Sequence, residues 1–344
     1  MIMEDLVNLT QQCAPNGERS SAYNSPIIII TCVLGFIGNA IALWIFCFHV
    51  KTWKPNTVYS LNLAIADTLL ICCLPFRAGY YIRKKDWIFG DVACRLNIFL
   101  ISLNRIGSII FLMVIAIDRY FKVVHPQHMA NKLTPRCAAK IAGALWGMAV
   151  AICTHLLVDR HHFQRNNSTF CEPFNINHPL NPTAIWTYAV FIFFKFILPV
   201  SVILFSTSSI IWRLRQMESD MRGKYKRATK LVIAVAAVFI ICFLPTNIAV
   251  VAVLITRLRR SVDCNSYVIA VNIFYNTLFM TYLNSVIDPV IYYFSSSAFK
   301  GALKKALAPL NVSLAKSTTD QEMDPRESKA EPSKDRYLSS DILL

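Results

Sequence analysis

Residues 97–120 read NIFLISLNRIGSIIFLMVIAIDRY, a nearly unbroken apolar run that ends on Asp118-Arg119-Tyr120. An acid beside a base at the edge of a membrane-length segment is costly, and such groups persist there mainly when paired and functional. Six further apolar runs accompany this one. Spans are expected at 26–49, 56–81, 93–121, 138–158, 184–212, 229–256 and 267–294, each long enough for a helix of about 20 mostly apolar residues. Composition agrees. The 344 residues are 55% hydrophobic and 16% charged, with mean hydropathy +0.45, whereas a soluble domain carries roughly 25% charged residues. The expected fold class is an all-α membrane protein, a seven-transmembrane helix bundle with a short amphipathic eighth helix.

The net charge of +15 is no nucleic-acid footprint here, because much of it lies in short loops and at helix ends. Lys51, Lys54, Lys122, Lys132, Arg136, Arg213, Arg215, Arg222, Lys224, Lys226, Arg227 and Lys230 mark cytoplasmic loops by the positive-inside rule. An odd number of spans then puts the N-terminus outside. The first residues lack the basic n-region of a cleaved signal peptide, so the first span is expected to act as signal anchor. Of 11 cysteines, Cys13, Cys94, Cys171 and Cys264 fall on the outer, oxidising side. Four cysteines allow three connectivities; we favour Cys94–Cys171, tying the top of the third helix to the second outer loop, with Cys13–Cys264 by remainder. Sequons at Asn8, Asn166 and Asn167 also lie outside in this topology, where glycans are added.

The domain reading is a polar extracellular segment 1–25, a seven-helix transmembrane bundle 26–296, an amphipathic helix 297–308 and a disordered cytoplasmic tail 309–344. Gly35, Gly38 and Asn39 allow close packing and a hydrogen bond in lipid. Asp67 must face the bundle interior. Pro75, Pro199, Pro245 and Pro289 each remove a backbone hydrogen bond and kink their spans. Phe299, Leu303 and Leu307 share one side of a helix that would lie along the inner leaflet. No metal cluster, nucleophile elbow, phosphate loop or internal repeat is present, so an enzyme is not expected. His161-His162 reads as a solvated pair. Arg83, Lys84, Lys85, Arg160, Arg165, Arg257, Arg259 and Arg260 read as a solvated rim that steers anions.

Taken together, Asn39, Leu63-Ala64-Ile65-Ala66-Asp67, Asp118-Arg119-Tyr120, Trp146, Cys242-Phe243-Leu244-Pro245 and Asp288-Pro289-Val290-Ile291-Tyr292 resemble the rhodopsin-like (class A) G-protein-coupled receptors, in order and over about 26–307. Phe46 to Pro55, Asn104-Arg105, Gly107-Ser108-Ile109, Phe121 to Pro126 and Tyr292 to Ser296 resemble the hydroxycarboxylic acid receptors. Pro75-Phe76-Arg77-Ala78, Tyr80-Tyr81 and Thr281 to Val286 look equally like the oxoeicosanoid receptor. The resemblance implies a plasma-membrane receptor that signals through a heterotrimeric G protein of the Gi/o class and lowers cyclic AMP. Receptor kinases and arrestin would act on the serine- and threonine-rich tail.

It also implies a site. Arg105 matches the arginine that anchors a ligand carboxylate, and its planar fork suits a bidentate acid. Arg77 is a second cation or a snorkelling one. Lys195 departs from the family pattern and is either a third cation or a headgroup contact. Tyr282 is placed to donate to the acid, and Phe174 to form an aromatic lid. Glu172 and Pro173 stand where the small-acid receptors tend to have serine, and Ile248 to Leu254 is wholly apolar. A long acyl tail suits that wall, so a fatty-acid or eicosanoid ligand stands level with a short hydroxy acid. A nucleotide-type ligand is the rival, and a transporter a more distant one. Asp67, Asn39, Ser108, Asn284 and Asp288 form either an allosteric sodium site or a water-filled network. Asp118, Arg119, Tyr120, Phe243, Pro245, Asp288, Pro289 and Tyr292 would form the coupling face and switch. The usual acidic lock on the sixth helix is missing, which implies measurable basal signalling.

Overall fold

The computed structural model describes residues 17–165, 168–173, 192–258 and 264–306. Its first helix, Gly17–Trp44, closes in a π turn at Ile45–His49. The second and third run Pro55–Ile82 and Gly90–Val124. The fourth, Pro135–Cys153, is extended by one turn at His155–Val158. The fifth comprises a π turn Phe193–Ile197 and Leu198–Arg215. Ser219–Val238, a π turn Phe239–Phe243 and Leu244–Leu258 make the sixth, and Cys264–Ser295 the seventh. Helix follows again over 297–306. By compactness the chain divides into a body that ends at Lys300 and a unit that begins at Gly301.

Several helices run beyond the expected spans, while residues 184–191 of the expected fifth span lie outside the described residues. The first helix starts at residue 17 rather than 26, with Pro26 inside it, and the sixth starts at 219 rather than 229. Hydropathy stops at the edge of the hydrocarbon, but a helix continues wherever its backbone bonds are made, and Glu, Arg, Lys and Ala are good helix formers. The fold is also not purely helical. His162–Arg165 pairs antiparallel with Ser168–Cys171, in the register Phe163↔Phe170, so the described part of the loop after the fourth helix carries a β-ribbon. Two π turns precede prolines, Phe193–Ile197 before Pro199 and Phe239–Phe243 before Pro245. A proline ring clashes with the carbonyl four residues back and leaves it without a partner, and a widened turn relieves that clash.

Among the described residues, six helices are long and apolar enough to cross a membrane. The most apolar windows of the second and third are 67% buried, against 44% in the sixth and 22% in the fourth and fifth, so the second and third are central and the fourth and fifth present most of their surface outward. Ile29, Ile30, Val33, Phe36 and Ile37 on the first helix are exposed accordingly. The seventh helix is not among those six, and the polar residues of its second half are inside: Asn284, Ser285 and Asp288 are buried, whereas Asn276 nearer its start is exposed. Thr281 and Ser285 bond backward to the carbonyls of Leu278 and Tyr282. The first and seventh helices meet at the small residues: a Cβ on Gly38 would lie 2.9 Å from Pro289 Cγ, and one on Gly35 3.2 Å from Ser285 Oγ.

Gly38→Ala should therefore destabilise the bundle by ~1–3 kcal/mol, the usual cost of overpacking. Gly143→Ala, where nothing lies within 4 Å, should not. Thermal unfolding midpoints of the detergent-solubilised variants compare the two, and equal midpoints would remove the close-packing account.

Candidate functional site

The third helix, 35 residues long, is the axis of the site. At 1.5 Å per residue it spans ~52 Å, more than the hydrocarbon core. Arg105 and Arg119 stand 14 residues apart on it, or ~21 Å. The two arginines therefore serve different ends of the bundle.

At the end joined by the Cys94–Cys171 disulfide, cations and hydroxyls converge. Buried Arg105 Nε has no hydrogen-bond partner, and the side chain lies in electrostatic reach of Tyr282 and Cys153. Partly buried Lys195 approaches Cys153 and Arg105. Arg77, 2% exposed, does not snorkel. It donates from Nη1 to the Cys171 carbonyl at 2.8 Å, while its Nε has no partner. Tyr282 lies in reach of both Arg77 and Arg105, and its buried hydroxyl, like that of Tyr275, makes no geometric hydrogen bond among the described residues. The cluster thus holds more donors than it satisfies.

One acid enters this cluster, from a direction the sequence did not signal. Glu172, beside the disulfide, accepts from Tyr80 at 3.1 Å and pairs with Lys85 at 3.2 Å. Lys85 also lies 4.2 Å from the Tyr275 ring centroid. Lys85 is not part of a solvated rim: its side chain is 3% exposed and that of Glu172 9%. It is turned inward by a left-handed bend, with φ 55° at Lys84 and 71° at Lys85, a conformation that costs non-glycine residues about 1–3 kcal/mol each. The β-ribbon fixes the other partner. Trp87 N donates to the Thr169 carbonyl at 2.7 Å, and Thr169 N to Asp86 at 2.9 Å. His161 is likewise buried rather than solvated, since its strand is pressed against the bundle. A cue for the ion pair was available, an acid next to a bridging cysteine; the inward bend of Lys84-Lys85 was not visible locally.

The middle of the bundle has the opposite character. Asp67 accepts from Tyr292 at 2.7 Å and Asn104 at 3.3 Å, and its carboxyl faces that of Asp288. Asn284 donates to Asp288 at 2.6 Å. Asn104 also reaches Ser108. Asn39 stands apart from the carboxylates, bonded to the Ser285 carbonyl and joined to Asp67 only through Tyr292. Among the described residues Oδ1 of Asn284 and Oδ1 of Asp288 are buried without a geometric hydrogen bond, although the Asp67 carboxyl faces Asp288, so this cluster is rich in acceptors. At the far end, Arg119 pairs with Asp118 at 3.2 Å and donates to the Ser295 carbonyl on the seventh helix, while Lys122 shares Asp118 at 2.7 Å. Tyr120 bonds His125. Phe243 is buried against Phe239, one residue before the Leu244–Leu258 segment that contains Pro245.

Phe174, Cys13, Asn8, Asn166, Asn167 and the tail lie outside the described residues. Cys264 is disulfide-bonded.

Burial would raise the Glu172 carboxyl, but the Lys85 ammonium, Tyr275 and Arg77 outweigh it and hold it below its usual 4.5. A depressed value means that the pair stabilises the fold fully above 4.5 and is lost as pH falls through the lower, folded value. Glu172→Gln should lower stability by ~3 kcal/mol, as removal of one partner of a buried pair does. The gap in unfolding midpoint should be constant from about pH 8 to about pH 5 and close only in stronger acid. A gap that closes near neutrality would contradict the assignment.

Comparison with known proteins accords with this geometry. Residues 38–292 match the model of the 7 transmembrane receptor (rhodopsin family). The chain is 44% identical to human hydroxycarboxylic acid receptor 2, over 80% of this chain and 74% of the relative. It is 43% identical to mouse hydroxycarboxylic acid receptor 1, over 83% and 80%, and 38% identical to human oxoeicosanoid receptor 1, over 81% and 71%. These are receptors rather than enzymes, multi-pass proteins of the plasma membrane that answer a small molecule and act on a G protein. With its matching residues spread from the first helix to Tyr292, the chain belongs to the rhodopsin family of seven-transmembrane receptors.

Proposed function

We propose that this receptor senses an extracellular carboxylate, a hydroxycarboxylic acid or an oxo or hydroxy fatty acid, and signals through Gi/o to lower cyclic AMP. The observation that carries the reading is Arg105, whose buried Nε has no partner among the described residues and which lies in electrostatic reach of the Tyr282 hydroxyl. An unsatisfied buried donor costs about 1–3 kcal/mol, and a carboxylate can accept from both groups at once. The names of the relatives, hydroxycarboxylic acid receptor and oxoeicosanoid receptor, agree with an acidic ligand. The sixth helix turns Ala249 and Val253 into the aromatic core beside Tyr267, Phe274 and Tyr275, a wall that favours an acyl chain over a sugar or base. In this reading the disulfide end and the N-terminus are extracellular and the tail is cytoplasmic. Ligand binding favours the state in which Arg119, Tyr120 and Tyr292 meet the G protein, and tail phosphorylation recruits arrestin.

The middle cluster fits a sodium ion. Asp67, Asp288 and the free Oδ1 of Asn284 supply hard oxygen donors, with Ser108 one hydrogen bond away through Asn104, the ligand type such a cation prefers. Bound there, it would hold Asp67 and Asp288 in the resting arrangement.

A series of carboxylates of rising chain length, read by inhibition of cyclic AMP, should give graded potency on the wild type. Arg105→Ala should lose at least about 100-fold at unchanged surface level, consistent with loss of a buried, charge-assisted anchor. Unchanged potency in that variant would refute the anchor. Raising sodium against a choline control should weaken agonist binding to the wild type but not to Asp67→Asn. An equal response of both would leave the cluster as a hydrogen-bond network.

A further inference from the structure

The Lys85–Glu172 pair occupies ground beside Arg77 that the proposed ligand reading does not use. We propose that Glu172 is a built-in carboxylate that sets the charge rule of the site: it admits ligands with one acidic group and rejects those with a second. The inference rests on the carboxylate reading and deepens it.

Three observations carry it. Glu172 accepts from Tyr80 and Lys85 and lies in the field of Arg77, so the protein already supplies an anion at the second cationic position. Arg77 also spends Nη1 on the Cys171 carbonyl. At the other position, Arg105 has neither acid nor carbonyl bound to it among the described residues. Tyr282, packed in the same cluster as Tyr80 and Tyr275, stands in electrostatic reach of both guanidinium groups and links the two positions.

A ligand anchored by its carboxylate on Arg105 therefore meets different surroundings according to its far end. An apolar tail meets Val253, Phe274 and Tyr275. A second carboxylate, or the extra charges of a nucleotide, finds Lys85 and Arg77 already engaged with Glu172 and must displace that acid or lie against it, where juxtaposed like charges cost several kcal/mol in general. The pair itself is an expensive way to gain stability, because two charges leave water to form it. Discrimination between partners is the benefit that such buried charges bring. The strained bend at Lys84-Lys85 is maintained in the same structure that holds the pair.

The test uses the full-length receptor in cells, with surface level measured for every variant. The probes are straight-chain monocarboxylates from butyrate to dodecanoate, each beside the dicarboxylate of equal carbon count. On the wild type the monocarboxylates should be more potent by at least about tenfold, and in Glu172→Gln that gap should shrink by about tenfold or more as the second acid gains Lys85 and Arg77. Lys85→Met, which leaves the acid without its cation, should widen the gap. Should Glu172→Gln fail to reach the surface, the double variant Lys85→Met with Glu172→Gln removes both charges and should show a narrowed gap. A gap unchanged in a variant that reaches the surface overturns the charge rule. Arg105→Ala separates the two readings: if it abolishes the monocarboxylate response while the Glu172→Gln gap stays fixed, the carboxylate receptor stands and only the role of Glu172 falls. If no monocarboxylate activates the wild type, both fall.

Discussion

The interior of a bilayer offers no hydrogen-bond partner, so each polar group on a membrane-spanning helix must be matched within the bundle. That constraint organises this protein. The outward faces of the first, fourth and fifth helices are apolar, and the polar residues of the seventh are turned toward the second and third. Asp118 answers Arg119 and Lys122 at one end; Asn62 answers Trp146 across the second and fourth helices. The close approach of Gly35 and Gly38 to the seventh helix brings Asn39 within reach of the Ser285 carbonyl and Tyr292.

Where the matching is incomplete, its sign is informative. Around Arg77 and Arg105 the buried atoms without a partner among the described residues are mostly donors, from Arg77, Arg105, Tyr275 and Tyr282, with Asn97 Oδ1 the exception. In the middle they are acceptors, from Asn284 and Asp288. A donor-rich cluster favours an anion and an acceptor-rich cluster a cation, for the same electrostatic reason. The two clusters are linked through helices they share: Arg105 is next to Asn104, which bonds Asp67, and Tyr282 precedes Asp288 by less than two turns on the seventh helix. Tyr292 in turn joins Asp67 to the helix that receives Arg119 at Ser295. The Arg105, Asp67 and Arg119 regions therefore share the third and seventh helices, joined partly by hydrogen bonds and partly by backbone.

The family was legible in the sequence because its motifs combine ordered position with costly chemistry. A buried arginine, a buried aspartate and prolines within apolar runs are each unusual, and their order leaves little freedom. The Cys94–Cys171 link was legible for a related reason, since only a few outer cysteines need partners. The Lys85–Glu172 pair was not. Arg83, which is exposed, and Lys85, which is buried, look alike in a basic loop, and the inward turn at Lys85 depends on the β-ribbon that fixes Glu172 above it. His161 was misread for the same reason, being buried by the strand it precedes rather than by any local apolar pattern.

Residue order alone was enough for the family, the helical architecture and the placement of Arg105 and Arg119 some 14 residues apart on the third helix. Hydropathy and residue spacing are local, and a helix turns spacing into position at a fixed rise. Which charges are already paired emerged only from the folded arrangement. A charge is satisfied by whatever the fold brings within hydrogen-bonding distance, and for Glu172 that partner comes from 87 residues away in the chain.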